Sequence, residues 1–158
     1  MNTCCFSGHR VIPEEKLLYV RTRLYEEIVK TIQDGYTRFV SGFANGTDLM
    51  AAELVLDLKQ YYPGIKLQAA IPYPGNAEKK NPYFQNLLRR CDEVIIVSDH
   101  YTKWSMHKRN AKMIEESDRL IAVYDERKTG GTKYTIDLAN KKGIEVIKIL
   151  LPKEDQKE

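Results

Sequence analysis

A chain of 158 residues has the length of one ordinary domain and enough of it to bury a sizeable core. Its net charge of +3, from 25 basic and 22 acidic residues dispersed along the chain, does not announce a nucleic-acid binder, although it leaves room for a local basic patch. No apolar run approaches the ~20 residues that a membrane-spanning helix needs, and the opening MNTCCFSGHR lacks the basic-then-apolar pattern of a signal peptide, so a cytoplasmic protein with no membrane partner is expected.

In chain order, Thr3–Phe6 is a short apolar run closed by Ser7-Gly8. From Pro13, the residues Leu17, Leu18, Val20, Leu24, Ile28 and Ile32 recur at steps of three and four, which predicts an amphipathic helix stopped by Gly35. Arg38–Ser41 reads as a second strand, Thr47–Tyr61 as a helix ended by Pro63-Gly64, and Lys66–Ile71 as a third strand closed by Pro72-Tyr73-Pro74-Gly75. Then come a helix over Pro82–Arg90, a strand over Glu93–Ser98, a helix over Ser105–Glu116, and a strand over Arg119–Tyr124. A helix from Gly131 or Thr132 to Lys142 and a last strand over Ile144–Leu150 complete the pattern.

Strands alternating with helices predict an α/β domain with a mainly parallel sheet. Near-continuous apolar strands such as EVIIV suit burial on both faces. No composition shift or linker divides the chain, so residues 1–158 read as a single domain with a charged tail, 151–158, expected to fray. The stretch 73–83 is the longest irregular one and a candidate lid. Cys4, Cys5 and Cys91 show no CxxC spacing and read as buried small hydrophobes, with Cys4 and Cys5 on opposite sides of a strand. His100 and His107 lack the spacing of a metal site.

In an open parallel sheet, ligands bind outside the carboxyl ends of the strands. Glycine, hydroxyl and acidic residues gather at that edge: Ser7-Gly8-His9-Arg10, then Gly42 through Asn45, Gly46, Thr47 and Asp48, then Pro72-Tyr73-Pro74-Gly75, then Ser98-Asp99-His100, and finally Asp125 through Thr129-Gly130-Gly131-Thr132. Two glycine-rich junctions, each opening a helix, point to peptide N–H groups and helix N-termini that hold a phosphate-bearing small molecule. Thr132 is placed to cap its helix. Arg10 is a candidate phosphate partner. Asp48 is either a structural cap or the acceptor for ribose hydroxyls beside the phosphate. His9 reads first as a hydrogen-bonded structural residue. The segment Tyr101–Asn110 mixes aromatic and basic residues that suit base stacking or an interface, with Arg109 and Asn110 as the residues to test. The Lys-Ser/Thr of a phosphate-binding P-loop is missing after Gly46.

The segment Ser41-Gly42-Phe43-Ala44-Asn45-Gly46-Thr47-Asp48 resembles the SGxAxGxD signature of the SMF/DprA–LOG (SLOG) superfamily. Together with Phe6–Arg10, Arg109-Asn110 before Ser117–Asp125, and Gly130-Gly131-Thr132-Lys133-Tyr134-Thr135, residues 3 to 150 are similar to its YpsA-like branch. The resemblance implies a Rossmann-like three-layer sandwich with a pocket for a nucleotide derivative such as ADP-ribose, NAD or a nucleoside phosphate. It implies no required cofactor and no metal, and leaves open a homo-oligomer or a protein partner. The LOG branch cleaves the N-glycosidic bond of cytokinin nucleotides, the DprA branch binds single-stranded DNA, and the YpsA-like branch is linked in some bacteria to cell division. Where the LOG pattern PGGxGTxxE carries its catalytic glutamate, this chain has Thr135. The expectation is therefore a binding or sensing module. The alternatives are a nucleotide N-glycosidase, with Asp48, Glu53 or Asp137 supplying the acid, and a module binding single-stranded DNA or protein; nucleic acid is the disfavoured partner.

Overall fold

A computed structural model describes residues 2–78 and 80–151. The tail expected to fray lies, from residue 152 onward, outside the described residues.

Six strands form one sheet: β1 (Thr3–Gly8), β2 (Arg38–Ser41), β3 (Lys66–Ile71), β4 (Glu93–Ile96), β5 (Arg119–Tyr124) and β6 (Glu145–Leu150). All five pairings are parallel, in the order β4-β3-β2-β1-β5-β6. The connections run through α1 (Leu17–Gln33, after a single turn of 3-10 helix), α2 (Thr47–Leu58), α3 (Gly75–Glu78), α4 (Pro82–Arg90), α5 (Ser105–Glu115) and α6 (Gly131–Lys142). This is a Rossmann-like α/β sandwich. The chain winds outward from β1 to β4, then crosses back to β5 on the other side of β1. Because parallel crossovers keep one hand, that reversal puts the later helices on the opposite face.

The two apolar layers follow from strand alternation. Cys4, Phe6 and Phe39 pack with α1, α2 and α4, whereas Cys5, Val40 and Leu120 pack with α5 and α6. Adjacent cysteines thus serve two separate cores, and burial pushes both thiols up. Helix α2 is buried nearly all round, because it is wedged between the sheet, α1 and α4. Asn81 caps α4 by accepting from the Phe84 amide at 2.9 Å, with Pro82 in the first turn.

The EVIIV run behaves differently from its reading. β4 is an edge strand paired with β3 alone, and Val94 and Ile96 remain 44% and 52% exposed. Apolar composition specifies an extended segment, but its place in the sheet follows from the crossover order. Within 73–83, α3 replaces part of the expected irregular loop.

The reversal between β1 and β5 leaves a crevice at their carboxyl ends, as strand order requires. The loops that follow β1, β2 and β5 meet there.

Candidate functional site

The crevice is a cleft of about 320 Å³, within the usual range for a small-molecule site. Its lining comes from Ser7–Val11 at the end of β1 and in the loop after it, from Ala44 and Asp48 around the start of α2, from Met106, His107, Arg109 and Asn110 on α5, and from Arg127 and Gly130–Thr132 after β5.

The first glycine junction is built by contacts within the chain. Gly46 has φ +77°, and a Cβ there would lie 2.6 Å from the His9 carbonyl oxygen and 2.5 Å from that of Arg10. The Thr47 amide and hydroxyl both donate to the His9 carbonyl, at 3.3 and 3.1 Å. Phe43, in left-handed backbone at φ 57°, is held by its buried ring against Phe84 and by its amide donating to Ser41 Oγ. Arg109 Nη1 donates to the Gly42 carbonyl at 2.6 Å. The close approach that glycine permits is therefore of backbone to backbone. Gly42, Asn45, Gly46 and Thr47 do not line the cleft, Gly42 and Thr47 being buried and Asn45 exposed away from it, and Ala44 and Asp48 form its surface on this side.

The second junction is open. Gly130 is the N-cap of α6, with φ 108° and no side-chain cap. Thr132 does not cap this helix; it lies inside the first turn, because Gly130 rather than a hydroxyl residue occupies the cap position. The first amides of α6 consequently have no capping side chain, and Gly131 and Thr132 of that first turn line the cleft. Thr135, at the position of the glutamate in the resembling pattern, is buried and donates its hydroxyl to the Gly131 carbonyl at 2.9 Å.

Asp48 is the electrostatic centre. It is 7% exposed, and its Oδ2 accepts from the Ala44 amide at 3.3 Å. Its Oδ1 has no partner among the described residues, and the other two orphaned buried side-chain atoms, Gln68 Oε1 and Ser117 Oγ, belong to residues that do not line the cleft. Burial pushes the Asp48 carboxyl up to about 6, against the opposing pull of Arg109, the Ala44 amide and Arg10. Arg109 is itself buried; desolvation lowers its pKa and Asp48 supports its charge. Its Nε donates to Asn110 Oδ1 at 2.8 Å, which orients the amide so that Asn110 Nδ2 faces Gly131.

Arg10 lines the cleft, exposed, with no hydrogen bond or ion pair among the described residues. Arg127 lines it too and is paired with Asp125 at 2.6 Å. The guanidinium groups of Arg109 and Arg10 thus both act on one buried carboxyl, and a third, that of Arg127, lines the same cleft. His9 accepts the Asp125 amide on Nε2 at 3.0 Å. The same nitrogen lies 3.1 Å from Asp125 Oδ1, an ion pair only if the ring is protonated. Burial holds the His9 pKa below its ordinary value, and the amide needs the Nε2 lone pair, so the neutral ring with its proton on Nδ1 is the consistent assignment.

The other expected residues lie elsewhere. Pro72 and Tyr73 follow β3, two strands from the crevice, and Tyr73 packs edge-on against Tyr101 at 5.2 Å. Glu53 is engaged by Tyr83 and Arg21, and Asp137 pairs with Lys133; neither lines the cleft, leaving Asp48 as the one acid candidate that does. Sequence reasoning passed over Val11, and it took Ala44 and Arg127 only as members of their loops without singling them out. Arg127 was within reach, since it stands three residues beyond the end of β5 at the favoured edge. Among the described residues there is no group of three His, Cys, Asp or Glu side chains able to hold a metal, and no helix is long and apolar enough to cross a membrane.

Comparison with known proteins identifies the family and the fold. The model of the YspA SLOG family matches residues 11–150. The UPF0398 proteins of Bacillus cereus and Bacillus thuringiensis are 32% identical over 130 residues, covering 78% of this chain and 71% of theirs. Among solved structures, DNA processing protein A (DprA) of Streptococcus pneumoniae superposes with a TM-score of 0.72 at 19% identity, over 98% of this chain and 52% of that one. DNA processing protein A of Helicobacter pylori, whose structure describes a single-stranded DNA binding mode, gives 0.69 at 19% identity, over 98% and 67%. The chain therefore spans about half the length of the Streptococcus pneumoniae protein, and both likenesses are of fold.

Proposed function

Because this chain belongs to the YspA SLOG family, we propose that its cleft is a binding or sensing site for a nucleotide derivative such as ADP-ribose, NAD or a nucleoside phosphate. The observation that carries this reading is Asp48 Oδ1, a buried acceptor without a partner among the described residues, in a cleft whose polar part is rich in donors such as Arg10, Arg109 and Asn110. A lone carboxylate oxygen in such a place is costly unless a ligand supplies a donor. A ribose hydroxyl is that donor, and a phosphate beside it meets the uncapped start of α6 and the guanidinium of Arg10. The sugar's donors meet the acid while the phosphate's acceptors meet the amides, which places Asp48 beside the anion without opposing it.

The test is calorimetry with ADP-ribose, NAD and nucleoside monophosphates on the wild-type chain and on Gly131→Val. A Cβ at Gly131 meets nothing closer than Asn110 Nδ2 at 4.0 Å, so valine is compatible with the fold while it fills the cleft. Saturable binding that Gly131→Val abolishes supports the reading. Failure of every ligand to bind overturns it.

A second reading has its own observation. Asp48 is the one candidate acid on the cleft, and its carboxyl, raised to about 6, lies in the range of a general acid. A nucleotide N-glycosidase would depend on it alone. Chromatography for released base decides, and an intact nucleotide pool at high protein concentration removes this reading. Single-stranded DNA, named for the Helicobacter pylori neighbour, would present the same phosphates to Arg10 and Arg127; binding that weakens steeply with salt would identify it.

A further inference from the structure

The phosphate and ribose contacts just described use the polar part of the cleft and leave an apolar part unassigned. Val11, 82% exposed, lines the cleft from the loop after β1, and Met106 and His107 line it from α5. His107 is the middle ring of three. Trp104 lies beside it with ring centroids 6.0 Å apart and planes 31° from parallel, and Tyr134, in the first turns of α6, lies 4.4 Å away on centroids. Trp104 is 54% exposed, with the Lys103 ammonium over its ring at 5.0 Å. Val11 on the cleft wall, and Trp104 beside the wall residue His107 though not itself part of that wall, leave exposed apolar surface around this end of the cleft.

We propose that this end of the cleft is a nucleobase subsite, in which a planar base lies against His107 and Trp104 with Val11 as its apolar contact. The proposal rests on the nucleotide reading above and adds its base-recognition element. Stacking on a ring face is tolerant of base identity, because every base presents a π-face. No buried donor or acceptor of the ladder is committed to one base edge. The subsite therefore discriminates nucleotides from sugar phosphates and separates purines from pyrimidines only weakly.

The experiment uses a property of the sequence: Trp104 is the single tryptophan of the chain, so intrinsic tryptophan emission reports on the ladder alone. AMP and ribose 5-phosphate are each titrated into the full chain, followed by emission and by calorimetry. The expected result is that AMP quenches Trp104 and binds about tenfold more tightly than ribose 5-phosphate, which leaves emission unchanged. In Trp104→Ala the preference for AMP shrinks several-fold in calorimetry, and in His107→Leu the quench weakens; either variant serves if the other does not fold. Equal affinity for AMP and ribose 5-phosphate with unchanged emission overturns the base subsite and leaves the ribose-phosphate reading standing. Absence of binding by both overturns the two together.

Discussion

Thr47 donates twice to one acceptor: its amide and its hydroxyl both reach the carbonyl oxygen of His9, at 3.3 and 3.1 Å. This fastens the start of α2 to the loop after β1. The fit is close on both sides, because a Cβ at Gly8 would lie 2.3 Å from Thr47 Oγ1 and one at Gly46 would strike the backbone of His9 and Arg10. Two of the motif glycines are therefore required by the protein's own atoms.

Gly46→Ala is accordingly expected to cost about 2–4 kcal/mol, from left-handed backbone at φ +77° and from overpacking against carbonyl groups that have no room to move. Gly64→Ala, at an exposed glycine with nothing within 4 Å, should stay within about 0.5 kcal/mol of wild type. Urea unfolding of the two variants is the check. Equal midpoints would mean that the loops are not packed as described.

Asp48 makes the free protein less stable as pH rises. Its folded pKa is raised, so the native state holds the proton more tightly than the unfolded chain. The stability this adds is complete below the unfolded value near 3.8 and disappears as pH passes about 6. Asp48→Asn keeps the shape without the charge, and above pH ~7 it should be more stable than wild type by up to roughly 3 kcal/mol. Thermal melts across this range would expose the error if the two proteins kept parallel curves.

His9 slopes the other way. Burial lowers its folded pKa, so its contribution is present above the unfolded value near 6.5 and is lost as pH falls below it. Nitrogen-detected NMR should show a midpoint below 6.5 and an Nδ1–H tautomer, because Nε2 accepts the Asp125 amide. A ring that titrates above 6.5 would make the contact with Asp125 Oδ1 an ion pair instead.

Arg10 has no hydrogen bond or ion pair to lose among the described residues, so Arg10→Ala should leave the unfolding free energy within about 0.5 kcal/mol of wild type while weakening the proposed nucleotide binding about tenfold or more, the value of one charge-assisted hydrogen bond. Calorimetry and urea unfolding on the same preparation test both halves. A fall in stability with unchanged affinity would reassign Arg10 to the fold.

Much of the architecture is legible in the residues. The helix over Leu17–Gln33 follows from its three- and four-residue apolar steps, and Gly143 ends α6 in left-handed backbone as a glycine after a helix should. The two cysteines face opposite cores because strand side chains alternate. The carboxyl-edge rule gathers Ser7–Arg10, Asp48 and Gly130–Thr132, the aromatic and basic mix of Tyr101–Asn110 singles out Arg109 and Asn110, and all of these line one cleft. Pro72 and Tyr73 satisfied the same rule and still lie apart, because an edge has length and only the strands beside the crossover reversal meet.

Local pattern by itself determined which segments are strands and helices, which side of the sheet carries the loops, and that two glycine-rich junctions open helices on that side. Those are properties of spacing and of backbone freedom, and a short window of sequence contains them. Tertiary structure alone decided that β4 is an edge, that the glycine of one junction accommodates the chain's own carbonyls while the other junction stays open, and that Asp48 keeps an unanswered oxygen. Each depends on atoms distant in sequence arriving at a few ångströms, as His9 does at Thr47 and Arg109 at Gly42, and no periodicity records such distances.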